Sequence, residues 1–213
     1  MLTIVTPSAN GDFQGTLPAY EEAYRSTDNP FLAFIHDDVE IHDDRWEEWV
    51  MSVFQEESSI GVIGFAGALQ FGHPDIYKRT YRIADLMRYG FKSNLENAEQ
   101  HGERWEGSCN VAFLDGFALI VRRELLDKMG GWQPDKWPPH HVYDLRLACE
   151  ARRHGYRMRL VGISCAHRGG TTSCSPGYQE WARTTKWGSD LEMHKQGHRM
   201  IYDEYMDVLP WSV

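Results

Sequence analysis

The run FLAFIHDDVEIHD, residues 31–43, decides how the rest of the chain reads. Its first five residues are apolar without a break, as in a strand buried on both faces of a sheet. That strand runs directly into His36-Asp37-Asp38. In open α/β sheets, ligands bind beyond the carboxyl ends of the strands. Two adjacent carboxylates there repel each other unless a cation or a donor offsets the charge. A hard divalent ion, Mg2+ or Mn2+, does so and also bridges a diphosphate. The alternative is an acidic turn that caps the next helix. Asp43-Asp44, with Glu47 three residues beyond Asp44, already supply that cap, which leaves Asp37 and Asp38 spare.

Working outward, residues 2–6 (LTIVT) form a β-branched run stopped by Pro7, a first strand. Leu17, Tyr20 and Tyr24 have helical spacing, ended by Asn29-Pro30. Trp46, Trp49, Val50, Val53 and Phe54 follow the pattern of an amphipathic helix. Residues 60–65 (IGVIGF), 117–121 (FALIV) and 156–161 (YRMRLV) read as strands. Residues 123–129, 143–154 and 179–186 read as helices, the first two closed by Gly130-Gly131 and Gly155. Residues 67–109 show weak periodicity and many Gly and Asn, with Lys78, Arg79, Arg82, Arg88 and Lys92 as a basic section. So long an irregular segment predicts a lid or binding loop. Strands alternating with helices predict an α/β fold, a mostly parallel sheet flanked by helices. One domain is expected over 1–188. A helical tail is expected over 189–213, with Ile201, Tyr202, Tyr205, Met206 and Leu209 on one side, either docked or serving as an oligomer contact.

Composition narrows the function classes. With 42% hydrophobic and 25% charged residues among 213, the chain is neither disordered nor fibrous. Acidic residues outnumber basic ones 31 to 22, which argues against nucleic acid or an anionic membrane as partner. No apolar run approaches the roughly 18 residues of a membrane span. Cys109, Cys149, Cys165 and Cys174 lack CxxC spacing and are expected as reduced thiols in the cytoplasm. An aromatic share of 13% suits either a heavy core or a carbohydrate-stacking surface.

Two further sites stand out. Tyr143-Asp144 opens a helix after Trp137-Pro138-Pro139-His140-His141. Its carboxylate serves either the helix dipole or proton transfer. His167, in CAHRGG after a strand, is structural or a ligand; with Cys165 and Cys174 it matches no common zinc spacing.

The order FLAFIHDDVEIHD, then LDGFALIVRRELL with GGW, then HHVYDLRLACEARRHGYRMRLVGISCAH resembles family 2 glycosyltransferases of GT-A fold, closest to the StrF-like branch. The likeness spans roughly residues 16–186. It implies a nucleotide-sugar donor, a carbohydrate or other hydroxyl acceptor, and Mn2+ or Mg2+. Asp38 matches the metal ligand of the family's DxD motif and Asp37 a donor contact, with His36 in place of the first Asp. Asp115-Gly116 match the loop beneath donor and acceptor. Asp144 matches the catalytic base, with Tyr143 replacing the preceding acid, and His167 matches a histidine that completes the metal site. Thr6-Pro7 stand where the donor base rests. Trp105, His141 and Tyr143 are assigned to the acceptor side, with Trp132 and Trp137 as further stacking candidates. Arg79, Arg82 or Arg88 are assigned to the diphosphate. The family has more residues ahead of its motif than the 35 here, which implies a donor pocket that is open, completed by another subunit, or unable to hold an ordinary sugar nucleotide. Two other classes stand beside this one: a degenerate domain that binds glycan or partner, and a phosphate-ester hydrolase using His36, Asp37, Asp38 and His167.

Overall fold

The computed structural model describes residues 2–7, 15–71, 90–169, 171–209 and 211–213. The apolar run at 31–35 is strand β2 (Phe31–Ile35), and it lies inside a six-stranded sheet. In chain order the other strands of that sheet are β1 (Leu2–Val5), β4 (Ile60–Gly64), β9 (Ser108–Val111), β11 (Ala118–Arg122) and β12 (Arg157–Val161). They pair in the order β1-β2-β11-β4-β12-β9. Strands β1, β2, β4 and β12 share one direction; β11 runs against both of its neighbours and β9 against β12. The sheet is therefore mixed. The expected parallel frame holds for four strands, and β11 breaks it at the centre.

Alternation along β2 sends Leu32 and Phe34 to one face and Ala33 and Ile35 to the other, all buried. Helix α1 (Thr16–Ser26) covers the first face with Leu17 and Tyr20. It is joined there by α3 (Arg123–Lys128) and α4 (Tyr143–Arg153). Helix α2 (Trp46–Glu56) covers the second face with Trp46, Val50, Val53 and Phe54. Its N-terminus departs from expectation: Asp44 makes no cap. The Asp43 backbone carbonyl accepts from Trp46 and its side chain from Arg45.

Of the segment expected as one irregular lid, the described residues 67–71 and 90–109 carry short strands. A second sheet joins β5 (Ala66–Ala68), β7 (Lys92–Ser93), β8 (Glu103–Arg104) and β10 (Phe113–Leu114). The basic residues Lys78, Arg79, Arg82 and Arg88 lie outside the described residues.

Past β12, strand β13 (Cys165–His167) pairs antiparallel with β3 (Val39–Ile41). Three helices follow: α5 (Thr171–Cys174), α6 (Pro176–Thr184) and α7 (Asp190–Tyr205). Ser175 and Ser189 cap α6 and α7 through their hydroxyls. Helix α7 sends Ile201, Tyr202 and Tyr205 into the same core as α1 and α4. After it, β14 (Trp211–Ser212) pairs with β6 (Gln70–Phe71). Among the described residues no helix is long and apolar enough to cross a membrane.

Candidate active site at the strand tips

His36-Asp37-Asp38 leave the C-terminal end of β2 beside the end of β1. The register pairs Val5 with Phe34, so Thr6 and Pro7 emerge next to Ile35 and His36. The short β3–β13 ladder pairs Val39 with His167 and so carries that histidine to the tip. His167 Nε2 stands 3.3 Å from Asp38 Oδ1, and the His36 and His167 rings are 5.7 Å apart. Phe117 stacks on His167 with centroids 4.7 Å apart and fixes its plane. Asp38 Oδ1 is buried and makes no hydrogen bond, whereas Asp37 is exposed.

The residues fit a divalent ion. One ligand atom each from His36, Asp38 and His167 lies within 4.8 Å of the others. Two imidazoles and a carboxylate are a donor set for a divalent metal. Burial, and then the neighbouring His167, depress the His36 pKa against the pull of Asp115, Asp38 and Asp37, which favours the neutral imidazole. Asp38 Oδ1, buried, not hydrogen-bonded and 3.3 Å from the His167 ring nitrogen, stands as a carboxylate oxygen would beside a bound cation.

The turn at 115–117 joins this cluster to Asp144. The Phe117 carbonyl accepts from the His36 N–H at 2.9 Å. The Gly116 carbonyl accepts from the Tyr143 hydroxyl at 3.4 Å, and that hydroxyl is 2.7 Å from His36 Nε2. Gly116 is required here: a Cβ would stand 2.7 Å from the Tyr143 hydroxyl oxygen. Asp115 faces Asp144 electrostatically, and backbone N–H groups of Leu145 and Gly116 donate to the Asp144 carboxylate.

Burial, and then Asp115, push the Asp144 carboxyl from 3.8 up to about 7. A shift of that size corresponds to on the order of 4 kcal/mol. The N-terminus of α4 pulls the other way with only about 0.3–1 kcal/mol, so burial and the second carboxylate win. A carboxyl that titrates near neutrality is suited to accept a proton from a hydroxyl. The residue ahead of the helix is strained: Val142, β-branched, sits at φ 59°. It is held by packing, since the approach of Gly197 on α7 leaves room for a hydrogen and a Cβ there would lie 2.8 Å from Val142 Cγ2.

The acceptor-side assignments fare differently. Tyr143 is buried, with its hydroxyl engaged by His36 and Gly116. His141 Nε2 is 2.6 Å from Asp190 Oδ1 at the start of α7. Trp105 lies under Lys92, whose Nζ is 4.3 Å from the ring centre. Trp132 and Trp137 are 0% and 1% exposed, which corrects the expectation that they stack on sugars; they are core. Sequence reasoning missed the bond between His36 and Tyr143, the placement of His140 close enough to His36 to lower its pKa, and Asp190. An open groove of about 800 Å3 between α1 and residues 130–136 contains none of the site's residues.

The chain matches the glycosyltransferase like family over residues 14–199 and belongs to that family. No curated protein sequence matches it significantly. Among solved structures, glucosyl-3-phosphoglycerate synthase from Mycobacterium tuberculosis, in complex with Mg2+ and uridine diphosphate, matches with a TM-score of 0.50 at 15% identity, over 92% of this chain and 56% of that one. The mannosyltransferase PcManGT from Pyrobaculum calidifontis, in complex with GDP-Man and Mn2+, matches at 14% identity with a TM-score of 0.49, over 92% of this chain and 44% of that one. The chain spans about half the length of these proteins. The likeness to the synthase is one of fold, the GT-A type of α/β domain.

Proposed function

We propose that this family member transfers a sugar from a nucleoside-diphosphate sugar to an acceptor hydroxyl, with inversion at the anomeric carbon, and that it falls in the StrF-like branch. The observation that carries the reading is Asp144: a carboxyl with its pKa held at about 7, joined through the 115–117 turn to a cation site at the strand tips.

In this reading Asp38 and His167 would hold a divalent ion, and that ion would supply Lewis-acid stabilisation for the charge that develops on a departing diphosphate. Asp37 and the backbone after β1, Thr6-Pro7, line the donor side, and Asp115-Gly116 lie beneath both substrates. Asp144 accepts the proton of the acceptor hydroxyl as that oxygen attacks from the face opposite the leaving group. Burial, and then Asp115, keep the Asp144 pKa high enough for that transfer at neutral pH. Tyr143 acts on the acceptor side indirectly, by holding the first turn of α4 against His36 and Gly116. Four free thiols support a reducing, cytoplasmic setting.

Calorimetry with uridine, guanosine and thymidine diphosphates, with and without Mn2+, tests this. At least one diphosphate should bind in an Mn2+-dependent way, and Asp38→Ala should remove that dependence. Absence of Mn2+-dependent binding for every nucleoside diphosphate would overturn the reading.

A further inference from the structure

We infer that His36 is the third protein ligand of the strand-tip site, and that this two-imidazole, one-carboxylate set makes the site select a first-row transition ion such as Mn2+ or Co2+ over Mg2+. The inference rests on the cation site proposed above and deepens it, since the glycosyltransferase reading gave the ion only Asp38 and His167.

A hydrogen bond engages one ring nitrogen of His36. Its Nε2 is 2.7 Å from the Tyr143 hydroxyl, and that hydroxyl donates to the Gly116 carbonyl at 3.4 Å. A ligating His36 would donate Nε2–H to the Tyr143 oxygen, whose own proton points to the Gly116 carbonyl. Nδ1 then carries the lone pair and is the nitrogen left for an ion. A histidine that ligates through one nitrogen and is oriented through the other is the usual arrangement around a bound metal.

Each of the other donors is placed in the same manner. Phe117 fixes the His167 plane, and the Arg168 N–H donates to the Asp38 carbonyl at 3.1 Å. The three ligand atoms span at most 4.8 Å. Two ligands facing each other across an ion with bonds of about 2.1 Å stand about 4 Å apart, so little closure is needed. The chemistry of the set then decides the ion. Mg2+ is bound by oxygens and gives up its waters reluctantly, whereas imidazole raises affinity along the series from Mn2+ through Co2+. Replacing the first Asp of a DxD motif by His removes one oxygen and one negative charge, both of which favour Mg2+.

The test uses full-length protein stripped with chelator, then titrated with Mn2+, Co2+ and Mg2+ alone, without nucleotide. Wild type should bind Mn2+ at least tenfold more tightly than Mg2+. His36→Ala should lose about tenfold or more in Mn2+ affinity, and His36→Asp should narrow the Mn2+/Mg2+ ratio by at least fivefold through gained Mg2+ binding. Electron spin echo modulation from bound Mn2+ should report two imidazole nitrogens in wild type and one in each variant. Circular dichroism and thermal melting of each variant confirm the fold; where His36→Ala fails to fold, His36→Gln and His36→Asp carry the comparison. Mn2+ affinity within twofold of wild type in folded variants, or a single nitrogen in wild type, overturns the inference. If His36 proves a ligand yet no nucleoside diphosphate binds, the inference stands and the glycosyltransferase reading fails. Metal-dependent diphosphate binding that is indifferent to His36 overturns the inference and leaves the glycosyltransferase reading standing.

Discussion

Two histidine clusters flank the loop that leads into α4, and they are built on opposite principles. At the strand tips, His36, Asp38 and His167 converge while Asp38 Oδ1 is left without a hydrogen bond. On the other side, His141 and the Tyr178 hydroxyl both bond Asp190 Oδ1, and the His194 ring lies 5.2 Å from that of His141. The Asp190 carboxyl is held down to about 2, first by His141 and then also by Tyr178. One cluster keeps its carboxylate oxygen open; the other has it doubly bonded. Donors left unsatisfied point to a ligand, whereas donors consumed by one another make a clamp. The clamp ties the loop to α7, and α7 in turn seats the strained Val142 next to Asp144.

The largest effect should come from the residue between the clusters. Asp144→Asn should cut turnover by about 10^2–10^4, measured by single-turnover sugar transfer. The same change should raise stability at pH 8. The folded pKa of about 7 lies above the ordinary 3.8, so the ionised group costs stability that is lost as pH rises from 3.8 through 7. Allowing for the lost backbone hydrogen bonds, urea unfolding should show a gain of about 1–3 kcal/mol. A variant that loses activity while gaining stability separates a functional carboxyl from a structural one.

Next in size is the contrast itself. Asp190→Ala should lower unfolding free energy by about 1–3 kcal/mol, because it strands His141 and Tyr178, while Mn2+ affinity stays within twofold. Asp38→Ala should do the reverse. If Asp190→Ala weakened Mn2+ binding as much as Asp38→Ala, the two clusters would not be separate devices.

Acid should undo the clamp and its surroundings. Burial depresses His140 to about 3 and His198 to about 4, below the usual 6.5. The unfolded chain then binds protons that the fold refuses, so stability falls as pH drops from about 6.5 toward those values. Asp190 adds a loss as pH falls from 3.8 toward about 2. Melting temperature against pH, measured in Asp144→Asn so that protonation of Asp144 does not offset the loss, checks this, with the decline starting near 6.5.

A smaller effect sharpens the role of Asp115. Asp115→Asn removes the second cause of the raised Asp144 pKa, so the acid limb of the pH–rate profile should move down from about 7 while the burial contribution persists. An unmoved limb would assign the shift to burial alone.

The strand-tip acids and the start of α4 were legible in the sequence because each is a local pattern: an apolar run meeting His36-Asp37-Asp38, and Tyr143-Asp144 opening a periodic helix. The place of His167 came from resemblance, since its approach to Asp38 depends on the β3–β13 ladder between distant segments. The His36–Tyr143 bond spans 107 residues and the His141–Asp190 bond 49, separations at which periodicity carries no information. Strands β6, β7 and β8 have two residues each, too short for alternation to register, so the built part of 67–109 read as a loop. The antiparallel β11 was hidden for a different reason. Its FALIV run is buried on both faces and looks the same in either direction.

The most direct measurement is a crystal structure with Mn2+ and a nucleoside diphosphate, using the anomalous signal of the metal. The account predicts one strong peak about 2.2 Å from Asp38 and His167, with the diphosphate lying between that ion and Asp144. An ion seated elsewhere, or a diphosphate on a face of the molecule away from Asp144, would contradict it.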